Sequence, residues 1–155
     1  MSEKHGVKVG LAEIAPVIKE SLNSGNDVRL IVTGTSMYPL LTPERDAVVV
    51  SPCKSIKKRD IAFFERKSGL LVMHRVVKVK KDGFYCVGDN QTVVEGPISY
   101  ENLLGKITLM VRNGKEIDVK STKYRAYAWF WTAVRPIRRG VLAAWRKLKR
   151  VFKGK

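Results

Sequence analysis

The centre of the chain has a strand-like pattern, and this pattern limits the fold more than any other feature. Between residues 28 and 119, short runs rich in Val, Ile and Phe alternate with turn residues, as in a sheet of short strands. The pairs Asp82-Gly83 and Asn113-Gly114 suit tight antiparallel hairpins, because glycine tolerates a positive φ. We therefore predict a mainly β fold with an antiparallel sheet. The runs are Val28–Thr33, Ala47–Ser51, Ile61–Glu65, Leu70–Val79, Phe84–Val87, Ile107–Arg112 and Glu116–Val119.

Helical patterns flank this β region on both sides. Leu11–Leu22 has apolar residues at helical spacing, and Gly25 is a suitable stop. From Thr122 the spacing is helical again, with an aromatic-rich piece that Pro136 interrupts. We predict an N-terminal helical segment over residues 1–27, a β domain over 28–120 and a basic amphipathic helical tail over 121–155. The second tail piece places Ile137, Val141, Trp145, Leu148 and Phe152 on one face.

The positive charge of the chain is concentrated in this tail. Of the net charge of +16, residues 121–155 contribute eleven Lys and Arg and no acid, which leaves +5 for residues 1–120. Such a segment should seek an anionic partner, either lipid headgroups or nucleic acid. Because Trp145, Leu148 and Phe152 share one face, burial in a bilayer surface suits them better than stacking on bases. We expect peripheral association with an anionic membrane and do not expect nucleic-acid binding.

The sequence also argues against several other classes of protein. No stretch approaches the roughly 18 apolar residues of a membrane span, and residues 1–10 lack the apolar segment of a secretory signal. We therefore expect a cytoplasmic location, peripheral at the membrane. Cys53 and Cys86 are isolated and lie far from both histidines in the sequence, so we expect reduced thiols, no metal site and no cofactor.

Three segments carry candidate chemistry. The nucleophile box, Thr33–Pro39, holds Ser36 between a Gly-containing turn and a proline, at the end of a predicted strand. A serine hydroxyl needs a base within hydrogen-bond reach to become a nucleophile. The base box, Asp60–Val77, contains His74, and the third box, Gly88–Asn90, is followed by Glu95. Each segment alone has an ordinary structural explanation, as a turn serine, a strand histidine and an Asx turn.

Together, the order, spacing and flanks of these boxes resemble the signal peptidase I family, within the clan that includes LexA-like peptidases. The resemblance covers residues 28 to 111 and implies the antiparallel sheet of a signal-peptidase/LexA-like peptidase fold. At the base position, His followed by Arg is typical of the archaeal and endoplasmic-reticulum branch, and His74-Arg75 fits that branch.

The resemblance implies a serine peptidase with Ser36 as nucleophile and His74 as general base. The acid that orients the base is Glu95 or Asp89, with Glu95 slightly favoured by its spacing after the third box. The oxyanion hole would use the Ser36 backbone N–H, and we assign Thr35 and Met37 to the substrate and oxyanion region. Gly34 stands where some relatives carry a serine, so that hydroxyl donor is missing or comes from a neighbouring threonine. The expected partner is a peptide or protein substrate, such as a leader or signal-like peptide.

Three other functions stay open at this stage. A LexA-like self-cleaving regulator is disfavoured by the His base and by the absence of any Ala-Gly pair in the sequence. A non-catalytic peptide-binding module with the same fold is disfavoured by an intact Ser36 and His74. A nucleic-acid-binding protein would use the basic tail.

Overall fold

The chain forms one antiparallel sheet, with one helix before it and another after it along the sequence. The computed structural model describes residues 10–141 and 144. A helix, α1, spans Leu11–Asn23, and a second, α2, spans Thr122–Ala133. The chain is helical again over residues 135–141. The strands are β1 Val28–Ile31, β2 Ala47–Pro52, β3 Ile61–Glu65, β4 Leu71–Lys80, β5 Gly83–Val87, β6 Glu95–Ile98, β7 Leu103–Arg112 and β8 Lys115–Asp118, with a short 3₁₀ helix at Tyr100–Asn102.

Two strand edges that are unpaired in the described part of the chain lie near the candidate catalytic residues Ser36 and His74. The sheet runs β1-β2-β7-β3-β4-β5-β6, and β8 pairs with the C-terminal half of β7. β1 is an edge strand that leads into the nucleophile box. β4 pairs with β3 over residues 71–75 and with β5 from Arg75 onward. Residues 71–74 therefore have one unpaired edge among the described residues, directly beside His74.

The two predicted hairpins form, but for different reasons. Asn113 and Gly114 have φ values of 47° and 77°, so they form the positive-φ turn that their sequence indicates. In the other hairpin, Lys80 pairs with Gly83, so the turn residues are Lys81 and Asp82, neither with positive φ. Our reason for this second turn was wrong. A Cβ at Gly83 would lie 2.6 Å from the Ile98 carbonyl oxygen, so glycine here allows β6 to approach β5.

Both faces of the sheet are buried, which explains why the strands alternate weakly in polarity. The larger core cluster joins α1, α2 and one sheet face, for example through Leu22, Phe63 and Tyr124. The smaller cluster lies on the opposite face and includes Phe64 and Cys86. Because side chains of successive strand residues point to opposite faces, Phe63 and Phe64 belong to different clusters. In the described part of the chain, neither helix reaches the length and hydropathy of a bilayer crossing.

Two strand assignments differ from the prediction. β6 was not predicted, since Gly96 and Pro97 within it disfavour a strand, and an edge strand with one paired side tolerates both. β7 begins at Leu103 instead of Ile107, because Gly105 allows close contact with the Ser51 backbone. The predicted tail positions Trp145, Leu148 and Phe152 lie outside the described residues.

Candidate active site

Ser36 lies in a tight turn that follows β1. The Tyr38 N–H donates to the Thr35 carbonyl at 3.1 Å, and the Leu41 N–H donates to the Met37 carbonyl at 2.9 Å. These bonds hold the turn on both sides of Ser36. Met37 is 1% exposed and anchors the turn in the larger core cluster, whereas Ser36 stays partly accessible. The packing of Met37 therefore keeps the neighbouring hydroxyl at the surface of a cavity.

The third box packs directly against this turn. The Asn90 N–H donates to the Ser36 carbonyl at 2.8 Å, and the Asn90 side-chain amide donates to the Thr35 carbonyl at 3.3 Å. A Cβ at Gly88 would lie 2.5 Å from the Ser36 carbonyl oxygen and 3.0 Å from the Ser36 Cβ. Residue 88 must therefore be glycine for the two segments to approach this closely. The third box fixes the backbone that carries Ser36.

His74 projects from β4 and is held by a carboxylate from β6. Its ring is 2% exposed, and its Nδ1 lies 2.5 Å from Glu95 Oε1. The register explains the contact, since Val76 pairs with Cys86 and Cys86 pairs with Glu95, while His74 shares the face of Val76. When Nδ1–H donates a hydrogen bond to the Glu95 carboxylate, Nε2 carries the lone pair that a general base needs.

Arg66 holds the other side of the Glu95 carboxylate. Its Nε donates to Oε2 at 2.9 Å and its Nη2 donates to Oε1 at 3.0 Å, in the two-pronged geometry of strong Arg–carboxylate pairs. The turn between β3 and β4 positions Arg66, with its N–H donating to the Leu70 carbonyl at 2.9 Å and Gly69 at a φ of 81°. Glu95 is therefore clamped between the imidazole and a guanidinium.

The environment sets the charge states of this cluster. Burial lowers the pKa of His74, and it outweighs the opposing effect of Glu95; the positive charge of Arg66 lowers that pKa further. Burial would raise the pKa of Glu95, but the hydrogen bonds from Arg66 and the nearby imidazole bring it below its ordinary value. At neutral pH the pair is an ionised carboxylate and a neutral imidazole, which is the charge state of an orienting acid and a general base.

Asp89, the alternative orienting acid, points to a different partner. Its carboxylate accepts two hydrogen bonds from Arg75, each 2.7 Å long, and both side chains are almost fully buried. Arg75 also donates to the Tyr124 hydroxyl at 3.1 Å and to the Arg59 carbonyl at 3.2 Å. Since His74 and Arg75 are neighbours on β4, they face opposite sides of the sheet. The structure therefore places Glu95, and not Asp89, at the imidazole.

Ser36 and His74 line the same cavity, which we call the central cavity. It has a volume of about 320 Å³, and its wall is largely apolar. Within the described residues, no hydrogen bond joins the Ser36 hydroxyl to the imidazole, and such bonds commonly tighten only when substrate binds. Most of the wall comes from β1, the nucleophile box and residues 70–74, and single residues such as Phe63 and Gln91 complete it. The wall includes Leu30, Ile31, Val32, Gly34, Met37, Phe63, Leu71, Val72, Met73 and Gln91.

The predicted substrate and oxyanion residues lie beside Ser36. Thr35 is exposed, whereas the Met37 side chain lines the central cavity from the core. Within the described part of the chain, no hydrogen bond occupies the backbone N–H of Ser36, so this donor is available to a developing oxyanion. An added Cβ at Gly34 would meet no atom within 4 Å, so the wall of the cavity is open there.

One group of side chains in this region has donor atoms close enough to hold a metal ion. The ligand atoms of His74, Cys86 and Glu95 lie within 4.8 Å of one another. Their chemistry does not fit a cation. Burial raises the pKa of the Cys86 thiol far above neutrality, and Arg66 already neutralises Glu95. A protonated thiol and a positive neighbour disfavour metal binding at these three side chains.

Sequence reasoning missed two parts of the site. Arg66 lies in a turn 29 residues before Glu95, and no local pattern distinguishes it from the neighbouring Lys67. Arg75 was identified only as part of a family signature, while its buried pair with Asp89 depends on the contact between β4 and the third box. Both contacts are long-range, so only the register of the sheet could have indicated them.

Comparison with known proteins gives one family. A family model described as Peptidase S24-like matches residues 7–108, which is about two thirds of the 155 residues. The match includes Ser36, His74 and Glu95 and ends before α2. No curated protein matches the chain. The antiparallel sheet with flanking helices agrees with the fold expected for this family.

Proposed function

The chain belongs to the Peptidase S24-like family, which places it among serine peptidases, and we propose that it is an endopeptidase that uses Ser36, His74 and Glu95. The observation that carries the proposal is the contact of Glu95 with His74 Nδ1, at the wall of the cavity that Ser36 shares. A buried neutral imidazole with one nitrogen occupied by a carboxylate has its other nitrogen available to a nucleophile.

The proposed reaction follows from these roles. His74 Nε2 removes the Ser36 proton as Oγ attacks the substrate carbonyl carbon, and the Ser36 N–H donates to the resulting oxyanion. Glu95 stabilises the imidazolium that forms. The imidazolium then gives its proton to the leaving amine as the C–N bond breaks, leaving an acyl ester on Ser36. Water, activated by the same imidazole, hydrolyses the ester and restores the serine.

The edges of the sheet support an extended peptide as the substrate. β1 and residues 71–74 of β4 both line the central cavity, and each has an unpaired edge among the described residues. A peptide that pairs with such an edge forms main-chain hydrogen bonds, and these bonds do not depend on the amino-acid sequence of the peptide. The apolar wall then favours small or apolar side chains next to the scissile bond. We propose a leader or signal-like peptide as the physiological substrate.

A peptide library provides the test of this function. We expect the full-length chain to cleave a mixture of unstructured peptides at a restricted set of sites, identified by mass spectrometry of the products. Ser36→Ala should abolish these products, while Ser68→Ala, at an exposed serine in the β3–β4 turn, should leave them unchanged. Products that persist in Ser36→Ala would contradict the proposal.

The same measurement separates two of the alternative functions from the proposed one. A self-cleaving regulator would show a loss of intact mass of the chain itself, dependent on Ser36, with no products from added peptides. A non-catalytic binding module would retain library peptides without cutting them, and Ser36→Ala would bind the same peptides. Either outcome would replace the proposed activity.

The pH dependence of activity tests the role of Arg66 as a positioning residue. Its charge lowers the pKa of His74, so Arg66→Gln should raise that pKa and move the acid limb of kcat/KM to higher pH. Arg66→Lys keeps the charge and should largely restore the wild-type limb, with a lower rate because the two-pronged contact is lost.

The matched control for this prediction is Lys67→Gln, which removes an exposed charge from the same turn. It should leave the pH profile unchanged. If Arg66→Gln lowers the rate equally at every pH without moving the limb, then Arg66 has only a structural role.

A further inference from the structure

We propose that the outer face of the C-terminal helical region binds the surface of an anionic lipid bilayer. The outer face consists of four large apolar side chains that are more than half exposed: Trp129 at 60%, Phe130 at 56%, Ile137 at 67% and Val141 at 61%. Ile137 and Val141 are four residues apart in the helical stretch 135–141, which places them on one side of it, and Trp129 and Phe130 lie in the last turns of α2. This proposal is independent of the proposed peptidase activity.

The inner side of the same region is already used for packing. Tyr124 and Ala128 are buried in the larger core cluster, and Tyr127 stacks on Trp131 with ring centroids 5.7 Å apart. Arg138 donates to the Asp89 carbonyl at 2.9 Å. The region is therefore fixed to the sheet by one side. The outer face is exposed even though the helices are docked.

Charge identifies the partner. Residues 121–155 contain eleven Lys and Arg, whereas all 14 acidic residues lie before them. Arg125 and Arg139 are exposed in the same helical region, four residues before Trp129 and two residues after Ile137 in the sequence. A surface that combines apolar side chains with an excess of cations matches the interface of an anionic bilayer, where acyl chains and phosphate groups lie within a few ångströms of each other.

Nucleic acid would bind only the cationic and aromatic side chains of this surface. Phosphates would neutralise the arginines, and bases would stack on Trp129 or Phe130. Ile137 and Val141 have no flat ring for stacking, and a nucleic acid would leave them exposed or cover them with polar backbone. A bilayer buries all four. The aliphatic members of the outer face therefore favour lipid.

Vesicle binding by the full-length chain tests the proposal. We expect it to bind vesicles that contain phosphatidylcholine and phosphatidylglycerol, with a blue shift of tryptophan fluorescence that weakens at high salt. It should not bind phosphatidylcholine alone. The double variant Phe130→Ser/Ile137→Ser should bind at least about tenfold more weakly, because each lost apolar contact removes a favourable transfer term. Arg125→Gln/Arg139→Gln should bind more weakly at low salt and differ less at high salt.

Matched variants on other surfaces make the test specific. Val17→Ser/Val93→Ser alters two exposed valines outside the region, 66% and 76% exposed, and should bind like the wild type. Lys58→Gln/Lys81→Gln removes the same charge from exposed positions elsewhere and should have a smaller effect. Circular dichroism should show all variants folded, which excludes unfolding as the cause of weak binding.

Three results would overturn the proposal. The first is equal vesicle binding by the outer-face and control variants. The second is no vesicle binding together with salt-sensitive binding to a single-stranded oligonucleotide, which would assign the surface to nucleic acid. The third is a dimer in solution that Phe130→Ser/Ile137→Ser dissociates, again without vesicle binding, which would assign it to a second copy of the chain.

Discussion

Ser36→Ala and His74→Gln should each reduce kcat/KM for peptide hydrolysis by on the order of 10⁴-fold or more, and the double variant should lose little beyond either single change. The reason is that in the proposed mechanism the nucleophile and its base act as one unit, so removal of either one leaves no step for the other to assist. His74→Gln keeps a side-chain amide that can donate to Glu95, which limits the cost in stability. The measurement is the rate of cleavage of one library peptide by the four proteins.

Additivity is the informative quantity in this comparison. If the losses of the two single variants multiply in the double variant, Ser36 and His74 contribute independently and the proposed proton transfer between them is wrong. Thermal unfolding of each variant, measured in parallel, shows whether a loss of rate reflects unfolding. Ser68→Ala gives the rate expected for a serine change outside the central cavity.

The sheet could be predicted from sequence where strands are buried on both sides. β2, β3 and β5 are mainly apolar runs between turn residues, and β4 adds polar positions such as His74 and Arg75. The bounds of all four strands agree with the prediction to within about two residues. β6 could not be predicted, because Gly96 and Pro97 give it the local pattern of a turn. Its strand conformation comes from pairing with β5, which is a tertiary contact that no short window of sequence contains.

The sequence identified the candidate residues of the site, but it did not show which of them contact one another. The boxes singled out Ser36, His74, Asp89 and Glu95, and both acids were reasonable partners for a histidine base. Their division of roles depends on β4, where adjacent side chains face opposite sides of the sheet. Glu95 reaches the His74 side only because β6 pairs with Cys86. The unpredicted strand therefore brings Glu95, rather than Asp89, to the imidazole.

Asp89→Asn should lower the free energy of unfolding by about 3–5 kcal/mol, because it leaves the buried Arg75 guanidinium without a counter-charge. The two side chains are 2% and 1% exposed, so water cannot replace the lost partner. Burial opposes the positive charge of Arg75, and in the wild type the hydrogen bonds and charge of Asp89 nevertheless raise the pKa of the guanidinium above its ordinary value. The variant keeps the burial and loses that compensation, while a guanidinium stays protonated in proteins. Denaturant unfolding measures the change. Lys19→Gln, which breaks the more exposed pair of Lys19 with Glu65, should cost less than about 1 kcal/mol.

Kinetics of the same variant then test the division of roles between the two acids. Under conditions in which Asp89→Asn is folded, its kcat/KM should stay within about tenfold of the wild type, since the Asp89 carboxylate contacts Arg75 and not His74. Glu95→Gln should reduce kcat/KM by on the order of 10⁴-fold, because the amide no longer stabilises the imidazolium or selects its tautomer. The opposite result, a folded and inactive Asp89→Asn beside an active Glu95→Gln, would make Asp89 the orienting acid. The contact of Glu95 with His74 would then be a feature of the unliganded site alone.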